Sequence, residues 1–253
     1  MERGSDTTTQ AHAASVLQWW ADAGVDVVVG EEPRDWLRPL PNAAALADAP
    51  AAASAASAPA VLPLETTEEL PGQLDMFQAY LRSSEALSYA SPSAPRVCPS
   101  GNPASGLMIL TDMPTSDDCS ANTLLSGEAG RLFDRMLAAI GRDRNSVYLA
   151  ALSCLRSPDG RFTTGSAQSC ATLARHHIGL AEPRALLLLG DAVSKALLGL
   201  PMPQARGRWH EVAVYGGTVR ALVTIPPTYL LNQPAAKRQV WDDLQLLMEE
   251  VNR

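Results

Sequence analysis

The sequence predicts an α/β fold, a three-layer arrangement with helices on both faces of a small, mostly four-stranded parallel sheet, and three observations predict it. From Leu107 onward, short apolar runs alternate with segments of helical periodicity. The runs are continuously apolar instead of alternating with polar residues, as expected of strands covered on both faces. Of the 253 residues 46% are hydrophobic, yet no stretch approaches the roughly 20 apolar residues of a bilayer-spanning helix. That apolar content is available for one globular domain plus some extra chain.

In chain order, residues 12–23 place Val16, Leu17, Trp19, Trp20 and Ala23 at near-helical spacing, which predicts a short amphipathic helix ending near Gly24. Residues 39–63 are almost all Ala, Pro, Ser and Leu, a composition with little to bury and with prolines that interrupt helices. The expected organisation is an acidic arm over residues 1–38, an Ala/Pro-rich linker over 39–73 and a folded domain over 74–253. A helix from about Leu74 to Leu87 presents Leu74, Phe77 and Leu81 to a core. Strands are expected at Leu107–Thr111, Val147–Leu152, Ala185–Leu189 and Ala221–Thr224. Helices are expected at about Gly127–Ile140, Ser166–Leu180, Asp191–Leu198 and Pro234–Val251. Ligands of such folds bind beyond the carboxyl ends of the strands. Here those ends are Thr111–Asp112, Ser153–Cys154, Gly190–Asp191 and Thr224–Pro227.

The net charge of −7 argues against gripping nucleic acid by bulk positive charge. Its distribution is uneven: residues 1–75 carry 12 acidic and 3 basic side chains, leaving 15 acidic and 17 basic in residues 76–253, a net of +2. The N-terminus lacks the basic and apolar regions of a signal peptide, so a cytoplasmic protein without membrane association is expected. Four dispersed cysteines without a CxxC are too few for a disulfide scaffold, and reduced thiols are expected. No GxGxxG or P-loop pattern is present.

A series of short motifs follows one order. Gly101-Asn102-Pro103-Ala104 precedes the first strand, and Thr111-Asp112-Met113-Pro114-Thr115 follows it. Gly127-Glu128-Ala129-Gly130 opens a helix, and Cys154-Leu155-Arg156 stands ahead of Cys170. Leu187-Leu188-Leu189-Gly190, Arg206-Gly207, the run Thr224 to Leu231 and Trp241-Asp242-Asp243-Leu244 complete the series. As a set these resemble the uracil-DNA glycosylase superfamily, most closely its family 4, whose members carry an iron–sulfur cluster. The resemblance covers roughly residues 75–250. It implies a DNA-repair hydrolase that flips a base and cuts its N-glycosidic bond, with a carboxylate near the sugar and a donor to the departing base.

On that resemblance, Asp112 stands where family 4 has Glu. It either positions water and stabilises the sugar cation, or caps the loop to Pro114. Thr111, Leu125, Ala150 and Pro226 are the base-pocket positions: Leu125 replaces the stacking Phe, Ala150 or a residue within one of it replaces the Asn, and Pro226 replaces the His of the His-Pro motif. Pro has no N–H to offer the base oxygen. Ordinary uracil excision is therefore expected to be weak, altered or lost, the alternative being an inactive DNA- or protein-binding module. Pro114, Thr115, Ser116, Pro227, Thr228 and Tyr229 are the expected DNA-contact turns, with Arg206, Arg208 and Lys237 supplying phosphate contacts. Such binding would be salt-sensitive. Ser83 and Ser84 stand where two further cluster cysteines are needed, so neither a cluster nor another metal is expected. A monomer is expected, the arm tryptophans docking on their own domain.

Overall fold

The computed structural model describes residues 70–251 apart from Pro92. The arm, its expected helix over residues 12–23 and the linker through residue 69 lie outside the described residues. Helix α1 (Leu74–Ser83) buries Phe77 and Leu81. It stops short of the expected Leu87 because Ser84 turns extended and Arg96 donates to the carbonyls of Leu81 and Ser84, at 3.1 and 2.8 Å. That guanidinium supplies donors to carbonyls which a helix C-terminus otherwise leaves unpaired.

The sheet has six strands, two more than expected: β1 (Ser100–Gly101), β2 (Leu107–Thr111), β3 (Tyr148–Ala151), β4 (Ala185–Leu189), β5 (Trp209–Val214) and β6 (Gly217–Thr224). Their order is β1-β3-β2-β4-β6-β5. The inner four, β3, β2, β4 and β6, are parallel and are the four expected strands. The two additions are antiparallel edges, β1 on β3 and β5 on β6. β5 escapes a search for continuous apolar runs because an edge strand wets one face: Glu211 and Ala213 are exposed while Val212 is buried. It joins β6 through Tyr215 and Gly216, whose φ of +83° suits a tight turn that glycine adopts without strain.

Side chains of the inner strands alternate between two cores. Leu107, Ile109, Leu187, Leu189 and Leu222 meet α3 (Gly127–Ala139) and α8 (Lys237–Val251), through Phe133, Leu137, Leu244 and Leu247. Met108, Leu110, Leu186, Leu188 and Val223 meet α4 (Thr164–Ala181) and α5 (Asp191–Leu198), through Ala174, Ile178, Val193 and Leu197. This is the three-layer α/β/α arrangement. Three short helices complete it: α2 (Ser116–Ala121), α6 (Met202–Ala205) and α7 (Pro227–Asn232). The turn expected at Pro227–Tyr229 is thus the start of a helix, with Pro227 at its first position, where a missing N–H costs nothing. None of the described helices is long and apolar enough to cross a membrane.

Candidate functional site

The carboxyl ends of the parallel strands are tied together beyond the last ladder residues. Leu152 N–H donates to Thr111 O at 2.8 Å, Ser153 N–H to Asp112 O at 3.2 Å and Gly190 N–H to Thr224 O at 3.1 Å. Asp112, one residue past β2, is thereby held beside the β4–α5 turn. Gly190 there has φ +112°, and a Cβ on it would lie 3.1 Å from Asp112 Oδ1. Only glycine gives the carboxylate that approach without strain.

Asp112 as a residue is partly exposed, but its Oδ1 is shielded from water and has no hydrogen-bond partner among the described residues. Burial pushes its carboxyl up to about 6. The Val193 N–H in the first turn of α5 pulls the other way, and the like charge of Asp191 adds to the rise. Desolvation of this kind disfavours the ionised form and readies a carboxyl for proton transfer near neutral pH.

The base-pocket positions do not all converge. Thr111 is buried and pairs in register with Ala151. Leu125 is buried in the same core as Leu189 and Ile225, with Ala151 packed against that cluster. Ala150 belongs to the opposite core, beside Leu110, Cys170 and Ala174. Of the neighbouring alanines it is therefore Ala151 that shares a face with Leu125. Pro226 is part-exposed and caps the start of α7 in extended conformation.

Pro114 is buried and its carbonyl accepts from Arg156 at 3.0 Å. Thr115 caps α2 in a reciprocal box with Asp118, and Ser116 is exposed in its first turn. Thr228 and Tyr229 are exposed on α7 beside the buried Pro227. Arg208 and Lys237 are exposed, whereas the Arg206 guanidinium is committed inside the fold. Arg206 reaches Asp243 Oδ2 at 2.8 Å and also donates to Gln239, and Thr224 donates to the same carboxylate oxygen at 2.6 Å. This buried triad fixes the end of β6 to α8. The sequence shows its members only as separate motif pieces, because their pairing joins positions far apart in the chain.

A four-cysteine cluster does not fit the residues present. Cys154 and Cys170 line a cavity between α1, β3 and α4 together with Phe77, Leu81, Leu87 and His177. Cys154 Sγ donates to Leu81 O at 3.6 Å, and burial pushes its thiol up to about 12, with Cys98 and Cys170 adding to the rise. Ser83 and Ser84, the residues expected at the two remaining ligand positions, turn to their own backbone: Ser83 donates to Ala79 O and Ser84 accepts from Ala86 N–H. Among the described residues no group of three or more His, Cys, Asp or Glu is placed to hold a metal ion. In the same region Gln78 donates to Tyr148 and the Tyr148 hydroxyl pairs with His177 Nε2, each at 2.8 Å.

Comparison with known proteins agrees with this fold. The family model described as "Uracil DNA glycosylase superfamily" matches residues 98–245. A type-4 uracil-DNA glycosylase of Pyrobaculum aerophilum is 25% identical over 148 residues, covering 56% of this chain and 76% of that protein. Another of Archaeoglobus fulgidus is 22% identical over 156 residues, covering 59% and 78%.

Proposed function

The chain belongs to the uracil DNA glycosylase superfamily, and from that premise we propose that its strand-end face takes a base flipped out of DNA and hydrolyses the N-glycosidic bond weakly or with altered selectivity. The observation that carries this reading is Asp112, a desolvated carboxylate at the carboxyl end of a central strand, one of whose oxygens has no partner among the described residues. In the reaction, a water oxygen bonds to the sugar C1′ as the bond from C1′ to the base nitrogen breaks. Asp112 takes the proton of that water, and its negative charge opposes the positive charge growing on the sugar. The departing base leaves with the bonding electron pair and is then protonated.

Weakness follows from what surrounds Asp112. No amide stands at Ala150 or Ala151 to read a base edge, and Pro226 offers no donor to the base oxygen. Loss of one preorganised donor costs on the order of 10² to 10³ in rate. Recognition falls to the apolar wall of Leu125, Ala151 and Ile225, which sorts bases by shape. The same losses favour a second reading, a catalytically inactive module that binds DNA or a protein.

DNA would be held by the turn at Pro114–Ser116, by Thr228 and Tyr229 on α7, and by Arg208 and Lys237. With a domain charge near +2 this binding falls steeply with salt. The reading includes no iron–sulfur cluster: Ser83 and Ser84 supply no thiolates, and Cys154 and Cys170 lie beside apolar packing and the Gln78–Tyr148–His177 chain. Base release from uracil-containing single- and double-stranded DNA, with D112N alongside, tests the reading. Release that D112N abolishes supports it, and no release from any damaged base leaves the binding module.

A further inference from the structure

We propose that Arg144 and Arg156 are positioning residues that clamp the segment from Pro114 to Ser126 onto the strand-end face, and that neither serves as a phosphate contact. The inference rests on the reading of that face as a base-excision site. Strand β3 is flanked by these two arginines, and both side chains reach the same outgoing segment of its neighbour β2. Beyond β3, Arg156 Nη1 donates to Pro114 O at 3.0 Å. Ahead of β3, Arg144 donates from Nη1 to Leu124 O at 2.8 Å and from Nη2 to Leu125 O at 2.6 Å. Its Nε reaches Asp134 Oδ1 at 2.6 Å, and its guanidinium lies 5.4 Å from the centre of the Phe133 ring.

Between these anchors the segment is closed on itself. The buried Asp118 carboxylate accepts Thr115 N–H at 3.0 Å and Ser126 N–H at 2.6 Å, joining the DNA-contact turn to the start of α3. Leu125 stands in left-handed backbone, φ +50°, which costs a leucine energy that the surroundings must offset. Two features hold it there. The Arg144 fork grips its carbonyl, and Gly130 lets that carbonyl approach α3 so closely that a Cβ would sit 2.0 Å from the oxygen. The planar fork donates to two adjacent carbonyls while its Nε still reaches Asp134, a span that the single nitrogen of a lysine does not cover. The outcome is a fixed Leu125 packed in one cluster with Leu189 and Ile225, three of the side chains the base wall needs.

The test uses the full chain and a single-stranded oligonucleotide with 2-aminopurine next to a uracil, so that fluorescence reports unstacking and anisotropy reports affinity without requiring chemistry. R144A is expected to lose at least fivefold of the fluorescence rise while affinity changes by less than twofold. Amide exchange over residues 123–127 should speed up at least tenfold while α4 stays protected. R144K should restore less than half of the rise, and D134N, which removes only the ion pair, should resemble wild type. An affinity loss with a salt slope lowered by about 1 would make Arg144 a phosphate contact and overturn the proposal. So would unchanged fluorescence and exchange in R144A, or exchange accelerated uniformly through the protein. A wild type with no fluorescence rise ends the base-excision reading and this inference with it, whereas a wild-type rise that R144A retains ends this inference alone.

Discussion

The strand-end face and the cavity behind β3 both bury ionisable groups, and they treat them differently. Around the cavity the polar side chains are answered: Gln78 meets Tyr148, Tyr148 meets His177, which lines the cavity, and His176 Nε2 meets Pro71 O. At the strand ends Asp112 Oδ1 is shielded from water and unanswered among the described residues. Burial also acts on the two regions with opposite sign. It lifts the Asp112 carboxyl to about 6 and, with help from the neighbouring His176, depresses the His177 imidazole to about 4. Paired polar groups are what packing requires, whereas a shielded carboxylate oxygen without a partner is a cost with no structural return. The contrast is what the proposed reading uses to put chemistry at the strand ends and support behind β3.

The largest expected effect separates the regions by activity. D112N should lower single-turnover base release by 10² to 10⁴, the range of a positioned general base, while H177Q should change it by less than about threefold once stability is matched. Equal losses in both variants would dissolve the distinction. Stability should respond in the reverse order. Phe77 is fully buried against His176, His177 and Tyr80, and F77A should destabilise the fold by about 3 to 5 kcal/mol in urea melts. R206L, which strands the buried Asp243 carboxylate, should cost about 3 kcal/mol and shows how far a strand end depends on its tie to α8.

A smaller and sharper difference lies in pH. The raised Asp112 carboxyl means the native state holds that proton up to about 6 while the unfolded chain releases it near 3.8. This contribution is full below pH 3.8 and is lost as pH rises through 6, so D112N should gain on the order of 2 to 3 kcal/mol over wild type at pH 7.5 and little at pH 4. His177 works the other way: its contribution is present above pH 6.5 and is lost as pH falls towards 4. Melting curves of wild type, D112N and H177Q from pH 4 to 8 should show the two slopes with opposite sign. The smallest expected effect is none: chelators should move the melting temperature by less than about 1 °C, and visible absorbance from iron would show that the cavity holds a cluster after all.

Much of the fold was legible along the chain. Leu107–Thr111 and Ala185–Leu189 are strands with the expected bounds, and Asp191–Leu198 is the expected helix, because continuous apolar runs and a 3.6-residue period are local signals. β5 was missed for the reason that it is an edge, half wet and half dry. The family was legible in its order of motifs, and Asp112 was singled out as the carboxylate of the motif that follows β2. Its missing partner was not legible, because the approach of Gly190 and the shielding of Oδ1 come from a neighbouring strand. Nor was the commitment of Arg206 to Asp243, since a guanidinium counts as a phosphate contact until its partner is placed.

By itself, then, the sequence determined the four inner strands and the long helices, the family resemblance and the residue types available for chemistry, because these depend on periodicity and on short motifs that need no partner. Only the tertiary structure decided that Ala151 and not Ala150 shares a face with Leu125, that the arginines flanking β3 grip carbonyls, and that Asp112 Oδ1 is shielded with no partner among the described residues. Each of these depends on which side of a strand a residue faces and what the adjacent strand brings to it. Strand pairing joins residues far apart in the chain, and hydrogen bonding and desolvation are decided at that contact.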